Sequence, residues 1–531
     1  MSEIRDIIQS GQAVLGIELG STRIKAVLID DCNEPIAAGG FDWENQLADG
    51  VWIYDLEDVK TGLQASIKDL KKNVADTYGV PLKALRGIGI SAMMHGYLVL
   101  DQNQEQLAPF RTWRNTITEA EARELTGLFN YTIPQRWSIA QLYYSVKRQE
   151  GHVRRICHMT TLAGYVHWLL TGEWVLGIGD ASGMFPIDIK TKTYYDEMVL
   201  KFDQLIEQRA YPWKLKEILP EVLTAGEEAG KLTRPGALLL DPEGDLLPGV
   251  PLCPPEGDGG TGMIATNTIG RRVGNVSAGT SIFSIIVLEK ELSRVYEDFD
   301  SMMTPGGECC VQVHCNNGTT DLNAWVGLFK EFARCRDDSI DDKELFHLLY
   351  NEALKGEEDC GGILAYNYLS GEHTTGFQQG RPLLVRTPEC RFTLANVMRA
   401  HLYSALVTLK MGIDKLVSEE NIAIDIMVGH GGLFKTEYVG QKILADAVKV
   451  PVSVMETAGE GGAFGIALLA AYMVHKSAGE TLETFLADRV FAGKKVNIVA
   501  PDQAAAAGFE AFAGRYRAGF PIERAAVDNL E

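Results

Sequence analysis

Regular alternation of apolar and polar positions begins at Val14. The run Val14-Leu-Gly-Ile-Glu-Leu-Gly-Ser-Thr-Arg-Ile-Lys-Ala-Val-Leu-Ile29 predicts two β-strands joined by a tight Gly-Ser-Thr turn, with Gly20 permitting the turn. The same grammar returns in Val273-Gly-Asn-Val-Ser-Ala-Gly-Thr-Ser-Ile-Phe-Ser-Ile-Ile-Val-Leu288. Aligning Gly20 with Gly279 sets Ser21-Thr22 on Thr280-Ser281 and Val27 on Ile286, which points to a duplicated unit opened each time by a hairpin. Hairpins are common, so the pair is only part of that argument.

Between and beyond the hairpins, strand and helix patterns alternate. Arg86-Gly-Ile-Gly-Ile-Ser91 predicts a short apolar strand, and Ile156 to Leu170 a helix with Gly172 as its C-cap. Arg234 to Gly257, rich in Pro and Gly, predicts a loop. Leu394 to Val417 keeps apolar residues at i, i+3 and i+4 and predicts an amphipathic helix, with His401 beside the stripe as a packed histidine rather than a catalytic one. Ile424 to Val428 predicts a strand leading into Gly429-His-Gly-Gly432, and Ala463 to Met473 an apolar helix. The alternation implies mixed α/β layers. From Val490 onward the pattern assigns no fold.

Composition narrows the class. A length of 531 residues suggests two to four domains, and 46% apolar with 23% charged residues is ordinary for a globular chain. A formal net charge of −21 argues against nucleic acid and anionic membranes as partners, while leaving room for a small anion in a locally positive pocket. Nine scattered cysteines fit a reducing compartment. Cys309, Cys310, His314 and Cys315 lack a second ligand pair at metal spacing, so buried strand cysteines are expected there rather than zinc. Met1 to Gln12 shows no apolar signal core, and the longest apolar runs fall short of a membrane span, so a cytoplasmic location is expected.

Three glycine-rich segments carry candidate chemistry. The Gly20-Ser-Thr22 turn offers backbone N–H groups and two hydroxyls to phosphate oxygens, with Lys25 adding charge and Glu18 able to hold a metal through water; an ordinary hairpin with a solvated carboxylate is the plainer reading. In Pro255-Glu-Gly-Asp-Gly-Gly-Thr-Gly-Met263, Asp258 sits among glycines on closely approached backbone, either as a general base or as a turn aspartate. In Val428-Gly-His-Gly-Gly-Leu-Phe-Lys-Thr436, glycines after a strand suit a nucleotide or a plain strand–helix turn; the G-x-G-x-x-G of a dinucleotide fold is not there.

Taken in order, the segments resemble the FGGY carbohydrate kinases, among them the xylulokinase group. Gly16 to Lys25 is similar to the family's first phosphate motif, Ile90-Ser-Ala-Met-Met-His-Gly96 to its Met-His-Gly sugar-binding strand end, and Trp113-Arg-Asn115 to its Trp-containing substrate loop. Leu170-Thr-Gly172, Gly179-Asp-Ala-Ser-Gly183, Gly257-Asp-Gly-Gly260, Ser277-Ala-Gly-Thr-Ser281, Tyr368-Leu-Ser-Gly-Glu372 and Gly429-His-Gly-Gly432 match further landmarks. The match covers nearly the whole chain.

The resemblance implies an α/β fold of two ribonuclease H-like, actin-like ATPase domains around a central cleft. Residues 1–272 would bind sugar and carry the base, and residues 273–531 would bind nucleotide. It implies transfer of the ATP γ-phosphoryl group, with Mg²⁺, to a ketopentose hydroxyl, D-xylulose first. Another ketose or polyol (ribulose, L-xylulose) and a non-catalytic actin-like ATP-binding regulator are the alternatives. Carried over, Asp258 is the general base, and Glu18 with Asp258 serves the metal. Ser21, Thr22, Lys25 and Thr280 meet phosphates, Gly431 and Gly432 line the adenosine site, and Met94, His95, Trp113 and Asp258 contact the sugar. A small sugar is the expected partner, and a homodimer is the assembly considered. The sequence departs from the family pattern at Glu18 (Asp), Met93 (Gln), Arg114-Asn115 (Asn-Asp) and Glu256 (Gly).

Overall fold

The computed structural model describes residues 2–335, 340–454 and 461–530. Packing divides the chain into two units: residues 1–270, 301–310 and 457–494, and residues 271–300, 311–456 and 495–531.

The first unit is built on a five-stranded sheet. Its strands are β1 (Val14–Leu19), β2 (Arg23–Ile29), β3 (Pro35–Asp42), β4 (Gly87–Ala92) and β5 (Glu256–Gly257), in the order β5-β4-β1-β2-β3. β1 pairs antiparallel with β2 and parallel with β4, and β5 runs parallel to β4. The strands are apolar on both faces because both are covered, as expected for the parallel part of such a sheet. The Leu56–Tyr78 helix buries Val59, Leu63, Ile67 and Leu70 in the core that also holds Leu15, Ile17, Ile24 and Ala26. Against β1 lies the Gly461–His475 helix, and Gly16 allows its approach: a side-chain carbon there would stand 2.1 Å from the Ala463 carbonyl oxygen.

The second unit repeats this plan. Its strands include β6 (Val273–Ala278), β7 (Ile282–Val287), β8 (Cys309–Cys315), β9 (Ile426–Gly431), β10 (Val452–Val454) and β11 (Asn497–Val499), in the order β8-β7-β6-β9-β10-β11. As in the first sheet, the hairpin strands β6 and β7 are antiparallel and the next strand, β9, is parallel to the first. The hairpins differ by one residue: Leu19 faces Ile24 across a four-residue loop, and Ala278 faces Ile282 across three. The Leu394–Glu420 helix is buried along most of its length. His401 packs inside, against Trp325 and 3.4 Å from the Asp321 carboxylate.

Several expected elements are corrected. The helix expected over 156–170 runs Leu162–Thr171, because His158–Thr160 is a strand paired with Leu98–Leu100 and Thr161 caps the helix by accepting the Gly164 N–H. It ends at Gly172, which adopts a left-handed conformation as expected. Within the expected loop 234–257, Arg234–Leu240 is a helix: Thr233 caps it and Pro235 occupies its first turn, where a missing N–H costs nothing. The strand expected at 424–428 runs Ile426–Gly431, so the first glycines lie in the strand, not after it. The tail left unassigned contains two helices, Gln503–Ala518 and Phe520–Asn529. Cys309, Cys310 and Cys315 are buried on β8, and among the described residues the only close trio of ligand-type side chains is Asp30, Asp31 and Cys32. None of the described helices is long and apolar enough to cross a membrane.

Candidate active site

In the first unit, three parallel strands end at one level. Register sets Glu18 beside Ser91, and Ser91 beside Glu256, so the turns after β1, β4 and β5 emerge together. This is the edge at which α/β sheets present ligand-binding groups. It brings Gly20–Thr22, Met93–His95 and Asp258 into one neighbourhood.

The β1–β2 turn is held from behind. The Trp43 indole donates to the Gly20 carbonyl at 2.7 Å, the Tyr54 hydroxyl donates to the Ser21 carbonyl at 2.6 Å, and the Trp43 N–H donates to the Thr22 carbonyl at 3.1 Å. Trp43 and Tyr54 stack with ring centroids 4.3 Å apart. With its carbonyls engaged, the turn is fixed in shape, and the Thr22 side chain remains exposed.

Asp258 does not lie in a turn, as its glycine neighbours suggested. It opens the Asp258–Ala265 helix, so the glycines lie in helical turns. The 461–475 helix packs closely against this one: a side-chain carbon on its Gly465 would fall 1.9 Å from the Thr261 carbonyl oxygen. Asp258 Oδ1 accepts the N–H of Gly259 at 2.9 Å and of Met94 at 3.3 Å. Its side chain is open to solvent yet hemmed in by protein, and the desolvation pushes its pKa above the usual aspartate value.

Glu18 faces Lys25 across the β1–β2 pair and accepts the N–H of Ala463 at 3.2 Å. Burial, then the nearby Asp258 charge, raises its pKa to about 7, against the opposing effects of the Ala463 hydrogen bond and Lys25. A helix N-terminus therefore holds one oxygen of Glu18. Sequence reasoning missed this partner; Gly461-Gly462 ahead of an apolar helix was the available signal of close approach.

Two more acids lie beneath. Glu256 accepts the N–H groups of Gly179 and Asp180 at 3.2 and 2.9 Å, and burial followed by the Asp180 charge raises it to about 8. Asp180 accepts the Thr161 hydroxyl at 2.6 Å and is raised to about 7, first by burial, with Asp258 adding to the shift. Glu256, noted in the sequence only as a departure, thus straps the 179–180 backbone to the strand that leads into Asp258.

The expected sugar contacts share this end of the sheet. His95 is buried with φ +67; its Nδ1 lies 3.0 Å from the Gly183 carbonyl, and its Nε2 accepts from Arg136 Nε at 3.1 Å. That pattern places the proton on Nδ1, and Arg136 is a neighbour the sequence gave no reason to name. Tyr97 exchanges backbone hydrogen bonds with Arg111, which draws the Trp113 loop alongside. Trp113 itself is 40% exposed, while Asn115 turns inward to hold both backbone groups of Trp52.

In the second unit, Ala278 pairs with Gly431, so the Gly279–Ser281 turn and Gly431-Gly432 adjoin. Gly431 has φ +99, and a side-chain carbon there would stand 2.4 Å from the Ala278 carbonyl oxygen. The Gly279 carbonyl accepts the N–H and hydroxyl of Thr319, and the Thr280 carbonyl accepts the N–H of Gly318. Both units thus carry a hairpin turn whose carbonyls are anchored.

The model for the FGGY family of carbohydrate kinases, N-terminal domain, matches residues 13–252, and that for the C-terminal domain matches residues 274–474. A xylulose kinase of Haemophilus influenzae is 23% identical over 419 residues, covering 75% of this chain and 79% of its own. Among solved structures, a xyloylose kinase from Brucella ovis superposes with a TM-score of 0.78 at 19% identity, covering 97% of this chain and 100% of its own. A gluconate kinase from Lactobacillus acidophilus gives 0.77 at 18% identity, covering 98% and 99%. At such identity these structural likenesses are likenesses of fold.

Proposed function

The chain belongs to the FGGY family of carbohydrate kinases, sugar kinases of the two-domain actin-like, ribonuclease H-like type that use ATP as phosphoryl donor, and from that premise we propose that it converts D-xylulose to D-xylulose 5-phosphate. The observation that carries the proposal is Asp258: a solvent-open carboxylate of raised proton affinity, tied to the Met94 N–H at 3.3 Å beside the Met-His-Gly strand end.

Phosphoryl transfer asks little covalent chemistry of the protein and much positioning. Asp258 is placed to take the proton of the attacking hydroxyl, and its raised pKa makes it the stronger base when ionised. The hydrogen bonds from Met94 and Gly259 fix the oxygen that would do this. Met94, His95 and Trp113 would frame the sugar. Within the first unit, Ser21, Thr22 and Lys25 would meet phosphate oxygens. Within the second, Thr280, Gly431 and Gly432 would serve nucleotide.

Glu18 and Asp258 suit a divalent cation. The Asp258 charge adds to the cost of ionising Glu18, and a cation would relieve it. Bound Mg²⁺ would neutralise phosphate charge; Glu18 would hold it, directly or through water, with Ala463 fixing the carboxylate.

Xylulose is preferred for the Met94-His95-Gly96 strand end and the name borne by the Haemophilus relative. A coupled assay of ADP release across pentuloses, hexuloses, polyols and gluconate tests it. The highest kcat/KM on D-xylulose is expected. A preference for another sugar overturns the substrate, and ADP release indifferent to every sugar overturns the reaction.

A further inference from the structure

Tyr368-Leu-Ser-Gly-Glu372 stands out in the sequence, yet none of its residues has a part in the site described above. We propose that Glu372 and Asn317 together are positioning residues that hold the second phosphate turn, Gly279–Ser281, in shape for nucleotide. The inference rests on the kinase reading for its ligand and adds to it a clamp within the second unit.

The connection is continuous. Asn317 is buried and its amide is fully used. Its Oδ1 accepts the N–H groups of Leu369 and Ser370 at 3.0 and 3.1 Å, and its Nδ2 donates to Glu372 Oε2 at 3.1 Å. The Asn317 N–H donates to the same Glu372 oxygen at 3.2 Å. Asn367 then donates to the Asn317 and Gly318 carbonyls at 2.9 and 3.0 Å. Residues 317–318 are thus fixed from both sides by the 367–372 segment.

From there the clamp reaches the turn. The Gly318 N–H donates to the Thr280 carbonyl at 2.8 Å, and the Thr319 N–H and hydroxyl both donate to the Gly279 carbonyl at 2.9 Å. The approach is so close that a side-chain carbon on Gly318 would lie 2.4 Å from the Gly279 oxygen. An anion-binding turn works by presenting N–H groups outward, which requires its carbonyls to be held inward. In the first unit Trp43 and Tyr54 do this; here backbone fixed by Asn317 and Glu372 does it. Glu372 is 0% exposed, so its carboxylate acts through Asn317 and not on a ligand.

The test measures binding of a fluorescent ADP analogue to the full chain, with KM for ATP and D-xylulose determined separately. Asn317→Ala and Glu372→Ala are expected to weaken nucleotide binding and raise the ATP KM roughly tenfold, leaving the sugar KM within about twofold. Glu372→Gln keeps an acceptor for both Asn317 donors and is expected to stay within about threefold of the parent. Folded Ala variants that bind nucleotide like the parent overturn the proposal, as does a loss shared equally by sugar and nucleotide. If the Ala variants do not fold, Thr319→Val, which removes one hydroxyl from the Gly279 carbonyl, carries the test with an expected loss of about threefold; unchanged binding there overturns it. A parent that binds nucleotide but phosphorylates no sugar would sink the kinase reading and leave the clamp standing. A parent that binds no nucleotide would sink both.

Discussion

The Glu18 carboxylate accepts the backbone N–H of Ala463 at 3.2 Å, across a separation of 445 residues. The contact joins the end of the first strand to the first turn of a helix that the chain reaches only after building most of the second unit. It also explains the small residues around it. A side-chain carbon on Gly462 would come 2.3 Å from Glu18 Oε1, so the carboxylate lies where any larger residue would stand.

Glu18 is expected to govern the cation requirement. Glu18→Gln keeps the size and an acceptor for the Ala463 N–H but removes the charge. The Mg²⁺ concentration for half-maximal rate should rise roughly tenfold, as for losses of a metal-orienting group. Initial rates across a Mg²⁺ titration at saturating ATP and sugar check this; an unchanged midpoint would remove Glu18 from the cation's surroundings.

Asp258→Asn tests the base. The amide can still accept the Met94 and Gly259 N–H groups, so the fold should persist, but it cannot take a proton. Sugar-dependent ADP release should fall by about 10²–10⁴ with the melting temperature little changed. Activity equal to the parent would exclude Asp258 from the proton transfer.

Asp180 makes stability depend on pH. Its folded pKa of about 7 lies above the ordinary value of 3.8, so the folded chain holds a proton that the unfolded chain releases within that window. Its contribution is therefore most favourable in acid and is lost as pH rises through the window. Asp180→Asn can still accept the Thr161 hydroxyl and has no charge to bury. Between pH 5 and pH 8 the parent's melting temperature should drop by about 3 °C more than the variant's. Parallel pH profiles would mean that Asp180 titrates no differently in the two states.

Gly16 is expected to be intolerant of the smallest side chain. An added methyl would stand 2.1 Å from the Ala463 oxygen and 2.7 Å from the Ala467 nitrogen, both backbone atoms in a packed helix. Gly16→Ala should cost about 2–3 kcal/mol of stability, read from urea unfolding. A loss below about 0.5 kcal/mol would show that the 461–475 helix yields easily.

How much was legible follows from the range of each interaction. The two hairpins, and the helix expected over 394–417 that runs Leu394–Glu420, are legible because alternation and helical periodicity are local, and burial imposes them directly. The 234–240 helix looks like loop in the sequence because Pro235 and Gly236 carry opposite meanings by position: breakers inside a helix, tolerated in its first turn. Asp258 reads as a turn residue for a related reason: glycines are poor helix formers, so Gly259, Gly260 and Gly262 conceal the helix that Asp258 opens.

The order of motifs along the chain determined the family, the two-domain α/β fold and the kinase chemistry, because short glycine turns and strand patterns are written within a few residues. Only the tertiary structure decided that Ala463 holds Glu18, that Glu256 straps the backbone of Asp180, and that Asn317 links Glu372 to the second turn. Each of these joins positions far apart in sequence through one or two hydrogen bonds, and such a bond leaves no periodicity in either segment. It exists only once the sheet has set both partners at the same height.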